Sequence, residues 1–543
     1  MMNRRIEKGT EKSSWIHWMF YAVLGMFFCV LLYWVVRYWE YMPYVDESAT
    51  ESALRNLIAE GLPRVGVDKN SVMYDLPPKV QYYWSYFVEL LLRIPVQVIG
   101  DFLQLDNLQP LTNLIFSVCV LWLLGMQISV WLQQGAHQEK EVYVFQAAML
   151  MLVMMCSEGI MSFAHYVRYY IFAMITFVFG IIMIPIYLDD LSDRKNIWKI
   201  YMLGILPCVF HLLYVPYSLL VFVLVLWEMK KQKRLQWKNF VMALPVLIIM
   251  AAGTIYLLAA RQTDVLGMIH ISRSNLIRYI SLIISLNKAE LVLAGAVLAV
   301  NVWCFRQMSS VQKKSVLLTG LNILLNIIFV GNGIYTYPRY CWPLRICYIM
   351  LLVTAFVIVI EKLCGRMQRK STVTFMVSFL CILTWGGVSR GNMKGYTMLP
   401  LVSWKEYYAM EDCVKAKQVV VFSDCPLPVS LKHPEWYVYL MRDYHEIKEE
   451  DVVKFNGSIN YYRSSRGFHS PVSNLQYAGK KRDIERILES LDDANHTYFV
   501  FWNSQIERTD AQVQSFFQNT GMDISKPIQM KEFKSTWDHY FKE

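Results

Sequence analysis

Residues 169–188 read YYIFAMITFVFGIIMIPIYL, twenty positions without a charge, set between Arg168 and Asp189. A helix rises 1.5 Å per residue, so about twenty apolar residues match the roughly 30 Å hydrocarbon core of a bilayer. Runs of the same kind recur at 16–37, 111–132, 143–161, 199–211, 213–229, 239–260, 290–305, 315–331, 341–361 and 372–389. Together they predict about eleven transmembrane helices. In the pair around Pro207 and Pro216 each half is short. Composition points the same way: 55% of the 543 residues are apolar and 18% charged, where about a quarter would be charged in a soluble enzyme.

The net charge of +10 belongs to the oily part, because residues 391–543 hold 19 Lys+Arg against 21 Asp+Glu. A nucleic-acid binder gathers its cations on one polar face. Here they sit in short clusters between apolar runs, and no nucleic-acid partner is expected. With the N-terminus in the cytosol, the predicted inner segments carry 20 Lys+Arg in 64 residues and the outer ones 11 in 124. The cluster Lys230, Lys231, Lys233, Arg234 and Lys238 leads that asymmetry, which sets the orientation by the positive-inside rule. An odd number of crossings then puts the C-terminal part outside. The first run has no small-residue cleavage site and is read as a retained helix.

The expected architecture is therefore a mainly α, polytopic helix bundle over residues 1–390 in the cytoplasmic membrane. Its first extracytoplasmic loop, 38–110, carries surface helices. Residues 391–543 form a small outer α/β domain. Val419-Val420-Val421-Phe422 and Tyr498-Phe499-Val500-Phe501-Trp502 read as strands there, and Lys481 to Leu491 as a helix. Asn456-Gly457-Ser458 and Asn495-His496-Thr497 are formal glycosylation sequons. Most cysteines lie in apolar runs as small hydrophobes, while Cys413 and Cys425 are candidates for a disulfide.

The first loop opens on Tyr44-Val45-Asp46-Glu47-Ser48-Ala49-Thr50-Glu51. Ser48 and Glu51 have capping-box spacing. Ala53, Leu54, Leu57 and Ile58 follow as an apolar stripe, and Gly61 with Pro63 stops the helix. Two acids at a helix start can simply complement its dipole. The next segment, Tyr74-Asp75-Leu76-Pro77-Pro78-Lys79-Val80-Gln81-Tyr82-Tyr83-Trp84, combines an extended Pro-Pro approach with interfacial aromatics.

An acid pair after the first helix, a surface helix and an aromatic-acid-x-Pro-Pro segment make this chain resemble the GT-C type integral-membrane glycosyltransferases. That superfamily includes the protein O-mannosyltransferases and the aminoarabinose transferase of lipid A. Leu76 stands where the aminoarabinose transferases carry Lys, and Lys79 is the nearby cation. Tyr166-Val167-Arg168-Tyr169-Tyr170 is similar to an Arg-x-Tyr motif of bacterial members. His211-Leu212-Leu213-Tyr214 resembles their His/Tyr turn, and Tyr337-Pro338-Arg339-Tyr340-Cys341-Trp342-Pro343 resembles the Arg-Tyr-x-x-Pro lead-in to a late helix. The resemblance leaves the C-terminal domain uncovered.

What it implies is inverting transfer of a hexosyl or pentosyl group from a polyprenyl-phosphate donor to an extracytoplasmic glycan, lipid or protein. Such chemistry needs a carboxylate to take the acceptor proton and cations to hold the leaving phosphate. The resemblance gives Asp46 the role of general base and Glu47 that of orienting the acceptor. Arg168, Arg339 and His211 are candidates for the phosphate, and Tyr170, Tyr214 and Tyr340 for hydrogen bonds to it or to the sugar. Asp75 and Lys79 join the donor-binding set. No metal is assigned, although His165, His211 and Asp75 are conceivable ligands of a divalent ion. Left as bland alternatives, Arg168 and Arg339 would snorkel to headgroups and His211 would be a core residue. The competing functions are a transporter or lipid flippase, and a lipid-linked glycan polymerase or ligase.

Overall fold

The structure is a computed structural model. It describes residues 2–41, 45–61, 84–105, 108–134, 138–234, 236–241, 288–331, 338–363, 404–414, 417–423, 436–441, 452–455, 458–462, 476–491, 493–502 and 506–542, with a few single positions between them. By their contacts the residues fall into two units. One is Met1–Arg37, Tyr83–Glu89 and Pro110–Met398; the other is Tyr38–Tyr82, Leu90–Gln109 and Leu399–Glu543.

Among the described residues, helices occupy the apolar runs. In chain order they are α1 Met2–Arg37, α2 Val45–Glu60, α3 Trp84–Leu103, α4 Gln109–Gln133, α5 Gln138–Cys156, the single turn α6 Glu158–Met161, α7 Tyr170–Asp189, α8 Arg194–Phe210, α9 Val215–Lys231, α10 Trp237–Val241, α11 Lys288–Cys304, α12 Ser310–Gly331 and α13 Trp342–Leu363. Among the described residues, Ile16–Arg37, Gln109–Gln133, Tyr170–Asp189 and Trp342–Ile360 are long and apolar enough to cross a membrane. These are the features of a membrane protein. The finer count of crossings is not set by them: α8, α9 and α11 have 17 residues each, and 372–389 and most of 239–260 lie outside the described residues. One expected helix, 143–161, is broken. It ends at Cys156, and buried Ser157 starts a new turn by accepting from the Met161 N–H at 3.0 Å.

In the first unit α7 and α13 are the inner helices, whereas α1 and α4 keep much of their apolar surface exposed, Trp18 and Trp122 included. A helix that is apolar all round needs protein or lipid on every side. Between such helices packing and a few polar bonds supply the adhesion. Tyr143 donates to Ile182 O at 3.0 Å, Ser218 to Gly204 O at 2.7 Å, and Asn301 to Leu351 O at 3.0 Å. At the end where α7 finishes and α12 begins, Lys314 pairs with Asp189 at 2.5 Å.

The second unit contains α2 and a C-terminal α/β domain. The latter comprises α14 Trp404–Cys413, β1 Gln418–Ser423, β2 Tyr437–Leu440, the hairpin β3 Val452–Phe455 and β4 Ser458–Tyr462, β5 Gln476–Tyr477, α15 Lys481–Ser490, β6 Thr497–Trp502, α16 Ala511–Thr520, β7 Ile528–Gln529 and α17 Met530–Lys542. Five strands pair in the order β5-β2-β1-β6-β7, parallel except for β7. A strand's side chains alternate between faces. Val419 and Val421 accordingly pack with Tyr407, Met410 and Trp436, while Val420 and Phe422 pack with Ile484, Phe516, Phe533 and Trp537. Both faces are covered, which explains the unbroken apolar run of β1. Cys413 is a free, exposed thiol, and Cys425 lies outside the described residues.

Close helix packing in the first unit rests on a missing side chain at Gly180, where a Cβ would collide with the Tyr217 hydroxyl and come within 3.3 Å of Leu203 O. Gly180→Ala is expected to destabilise the protein by about 1–3 kcal/mol through overpacking. Gly320→Ala, where a Cβ meets nothing within 4 Å, is expected to be neutral or mildly stabilising; thermal unfolding in detergent compares the two.

Candidate functional site

Three stretches that the sequence keeps far apart come together in the first unit. The irregular segment between α6 and α7 carries Arg168 and ends at Tyr169, the residue before the first turn of α7. The break between α8 and α9 carries His211, followed by the 3-10 turn Leu212–Tyr214. A second 3-10 turn, Pro338–Cys341, leads into α13 and carries Tyr340. The His211 ring lies 4.8 Å from that of Tyr169, 5.3 Å from Tyr170, 6.5 Å from Tyr214 and 6.1 Å from Tyr340. Arg168, half-buried, holds its guanidinium carbon 5.1 Å from the Tyr169 ring centre and 5.6 Å from that of Tyr170. Its Nη2 donates to the Tyr169 hydroxyl at 3.4 Å. Aromatic faces stabilise a partly desolvated cation in this way.

His211 has a defined tautomer. The Leu213 N–H donates to His211 Nδ1 at 3.0 Å. A backbone N–H can only donate, so Nδ1 carries no proton, and the neutral ring has its proton on Nε2. His211 thus enters the group as a neutral donor rather than a second cation. Together a guanidinium, an imidazole Nε2–H and phenolic hydroxyls provide one positive charge and several N–H and O–H donors, a set suited to a phosphate or to sugar oxygens.

Of the residues expected from sequence, Arg168, Tyr170, His211, Tyr214 and Tyr340 are brought together. The backbone of Arg339 lies in the same 3-10 turn as Tyr340, and its side chain is outside the described set. Asp46 and Glu47 are in the first turn of α2, in the second unit, and Glu47 is buried. The expected capping box is not formed as read: α2 starts at Val45, so Ser48 is already inside the helix, and Glu51 pairs with Arg55 at 2.6 Å. Acids in the first turn favour the earlier start through the helix dipole. The stop is at Gly61 as expected, with φ +75° and its N–H bonded to Leu57 O. Asp75 and Lys79 lie outside the described residues.

Two participants escaped the sequence reading. Tyr169 lies within the Arg-x-Tyr motif, which assigns it no role; its contact with both Arg168 and His211 depends on the backbone preceding α7. Asn113 sits in an apolar run, and its contacts cross to the segment that bears Arg168. Among the described residues no group of three His, Cys, Asp or Glu could hold a metal ion. No protein-family model matches the chain, and no curated protein matches it.

His165, on the same segment, is buried and stacks on Tyr166 at 4.6 Å. Burial pushes its pKa down to about 3 from the ordinary 6.5. The unfolded chain binds this proton near pH 6.5 and the folded one does not, so His165 contributes a stability loss as pH falls from about 6.5 toward 3. Thermal unfolding across that range is expected to show a shallower decline in His165→Phe than in the parent protein.

Proposed function

We propose that the chain is a polytopic membrane glycosyltransferase that moves a sugar from a polyprenyl-phosphate donor to an extracytoplasmic acceptor. On this reading residues 1–390 are the catalytic membrane part, with about eleven crossings and the N-terminus in the cytosol, and 391–543 form an outer domain. Asp46 is the general base and Glu47 orients the acceptor. Arg168 and Arg339 hold the phosphate, and His211 donates to it through Nε2. Tyr170, Tyr214 and Tyr340 hydrogen-bond the phosphate or sugar, with Asp75 and Lys79 contributing to donor binding.

One observation carries the reading: three separately weak motifs supply a single group around His211, with Arg168 lying over Tyr169 and Tyr170. Helix ends that merely anchored themselves to headgroups would have no reason to converge on one histidine. Donors fixed before the reaction stabilise charge that develops on a leaving phosphate without reorganising.

A flippase or transporter is the second reading, and it too has an observation behind it. Ser315, Thr319, Asn322 and Asn326 form a buried polar row along α12, and the fully buried Gln146 amide on α5 has no hydrogen-bond partner among the described residues. Intramembrane polar groups of this kind also occur along transport paths.

Proteoliposomes loaded with a polyprenyl-phosphate sugar separate the two. Asp46→Asn is expected to lower transfer by about a hundredfold or more, and Arg168→Ala to weaken donor binding about 10- to 100-fold by removing a charged hydrogen-bond donor. Movement of the lipid across the bilayer with no sugar transferred would replace the transferase reading with the flippase.

A further inference from the structure

Arg168 is presented by backbone that is neither α-helix nor strand: the 3-10 turn Ser162–Ala164 gives way to an irregular stretch that lasts until Tyr169. Carbonyls in such a stretch are not satisfied by a helical ladder, and in apolar surroundings they need donors from elsewhere. Asn113, on α4 and fully buried, supplies them. Its Nδ2 donates to Ala164 O at 3.0 Å and to Tyr166 O. Tyr166 O also accepts the backbone N–H of Arg168 at 2.8 Å. One carbonyl therefore links the Asn113 amide to the backbone of Arg168.

We propose that Asn113 is a positioning residue that fixes Arg168 for the donor phosphate, an inference that rests on the transferase reading above. The amide is matched to the task, since an NH2 group offers two hydrogens without charge. A carboxylate in its place would turn acceptors toward acceptors. One turn further along α4, Phe116 packs edge-on against Phe172 at 4.6 Å and against Phe210 at 5.5 Å. Phe172 is in the first turn of α7, and Phe210 precedes His211. The same face of α4 thus holds both the segment of Arg168 and the end of the helix that leads to His211.

The test is a double-mutant cycle in detergent micelles, with an unsaturated polyprenyl monophosphate lacking sugar as the probe. Asn113→Leu is expected to weaken binding about tenfold. In an Arg168→Ala background it is expected to cost nothing further, because its effect passes through the guanidinium. Losses that multiply in the double variant would overturn the proposal, as would unchanged binding in Asn113→Leu. Asn113→Ser, smaller and with one donor left, is expected to show a lesser loss with the same absence of additivity; it provides the cycle if Asn113→Leu does not fold.

Hydrogen exchange of residues 162–169 gives a readout independent of the donor. It is expected to accelerate in Asn113→Leu and to stay as in the parent in Ser117→Ala. Should Arg168→Ala bind the lipid normally while exchange accelerates in Asn113→Leu, the donor reading falls and Asn113 holds the segment for some other purpose. Unaltered exchange would overturn the positioning role itself.

Discussion

Wherever a chain leaves a helix inside an apolar bundle, its backbone N–H and C=O groups lose their partners and must find others within the protein. In the first unit this constraint shapes the segments that carry Arg168 and His211. The segment before α7 meets it with Asn113, which serves two carbonyls, and with the Ser162 hydroxyl, which donates to Gly159 O. The break after α8 meets it locally: the His211 N–H bonds Pro207 O, and the Leu213 N–H bonds the His211 ring. Irregular backbone survives here because neighbouring side chains complete it.

Those breaks also give the candidate site its composition. A continuous helix at residue 168 or 211 would spend its backbone groups on itself and distribute its side chains around the axis. Interrupted helices instead turn Arg168, Tyr169 and His211 toward one another, with Tyr340 added from a separate turn. The aromatic rings offset the desolvation of the guanidinium, and the bond from the Leu213 N–H leaves the His211 proton on Nε2, so the histidine serves the group as a neutral donor. Charges elsewhere obey a different logic. The Lys314–Asp189 pair joins the opposite ends of α7 and α12, where a salt bridge fixes helix ends together.

The C-terminal domain packs as a layered α/β fold. Its parallel strands alternate their side chains between two helical layers. Phe516, Phe533 and Trp537 build one aromatic core, while Tyr407 and Trp436 contribute to the other. Apolar burial of this sort needs no lipid, in contrast to helices of the first unit whose apolar residues remain exposed.

Apolar run length and strand alternation were legible in the linear chain because each is a local periodicity: the helix at 170–189, the strands at 418–423 and 497–502, and the stop at Gly61 follow from neighbours a few residues away. The start of α2 and the break at Ser157 were less so, since first-turn acids competed with a capping pattern and one buried serine interrupted an otherwise helical run. A resemblance of short motifs to those of a known family marked Arg168, His211 and Tyr340 as candidates, but said nothing of their proximity. That proximity and the two bonds of Asn113 were decided by tertiary structure alone. Each depends on groups far apart in the chain whose distances are set by how helices pack, and no local pattern encodes a packing distance.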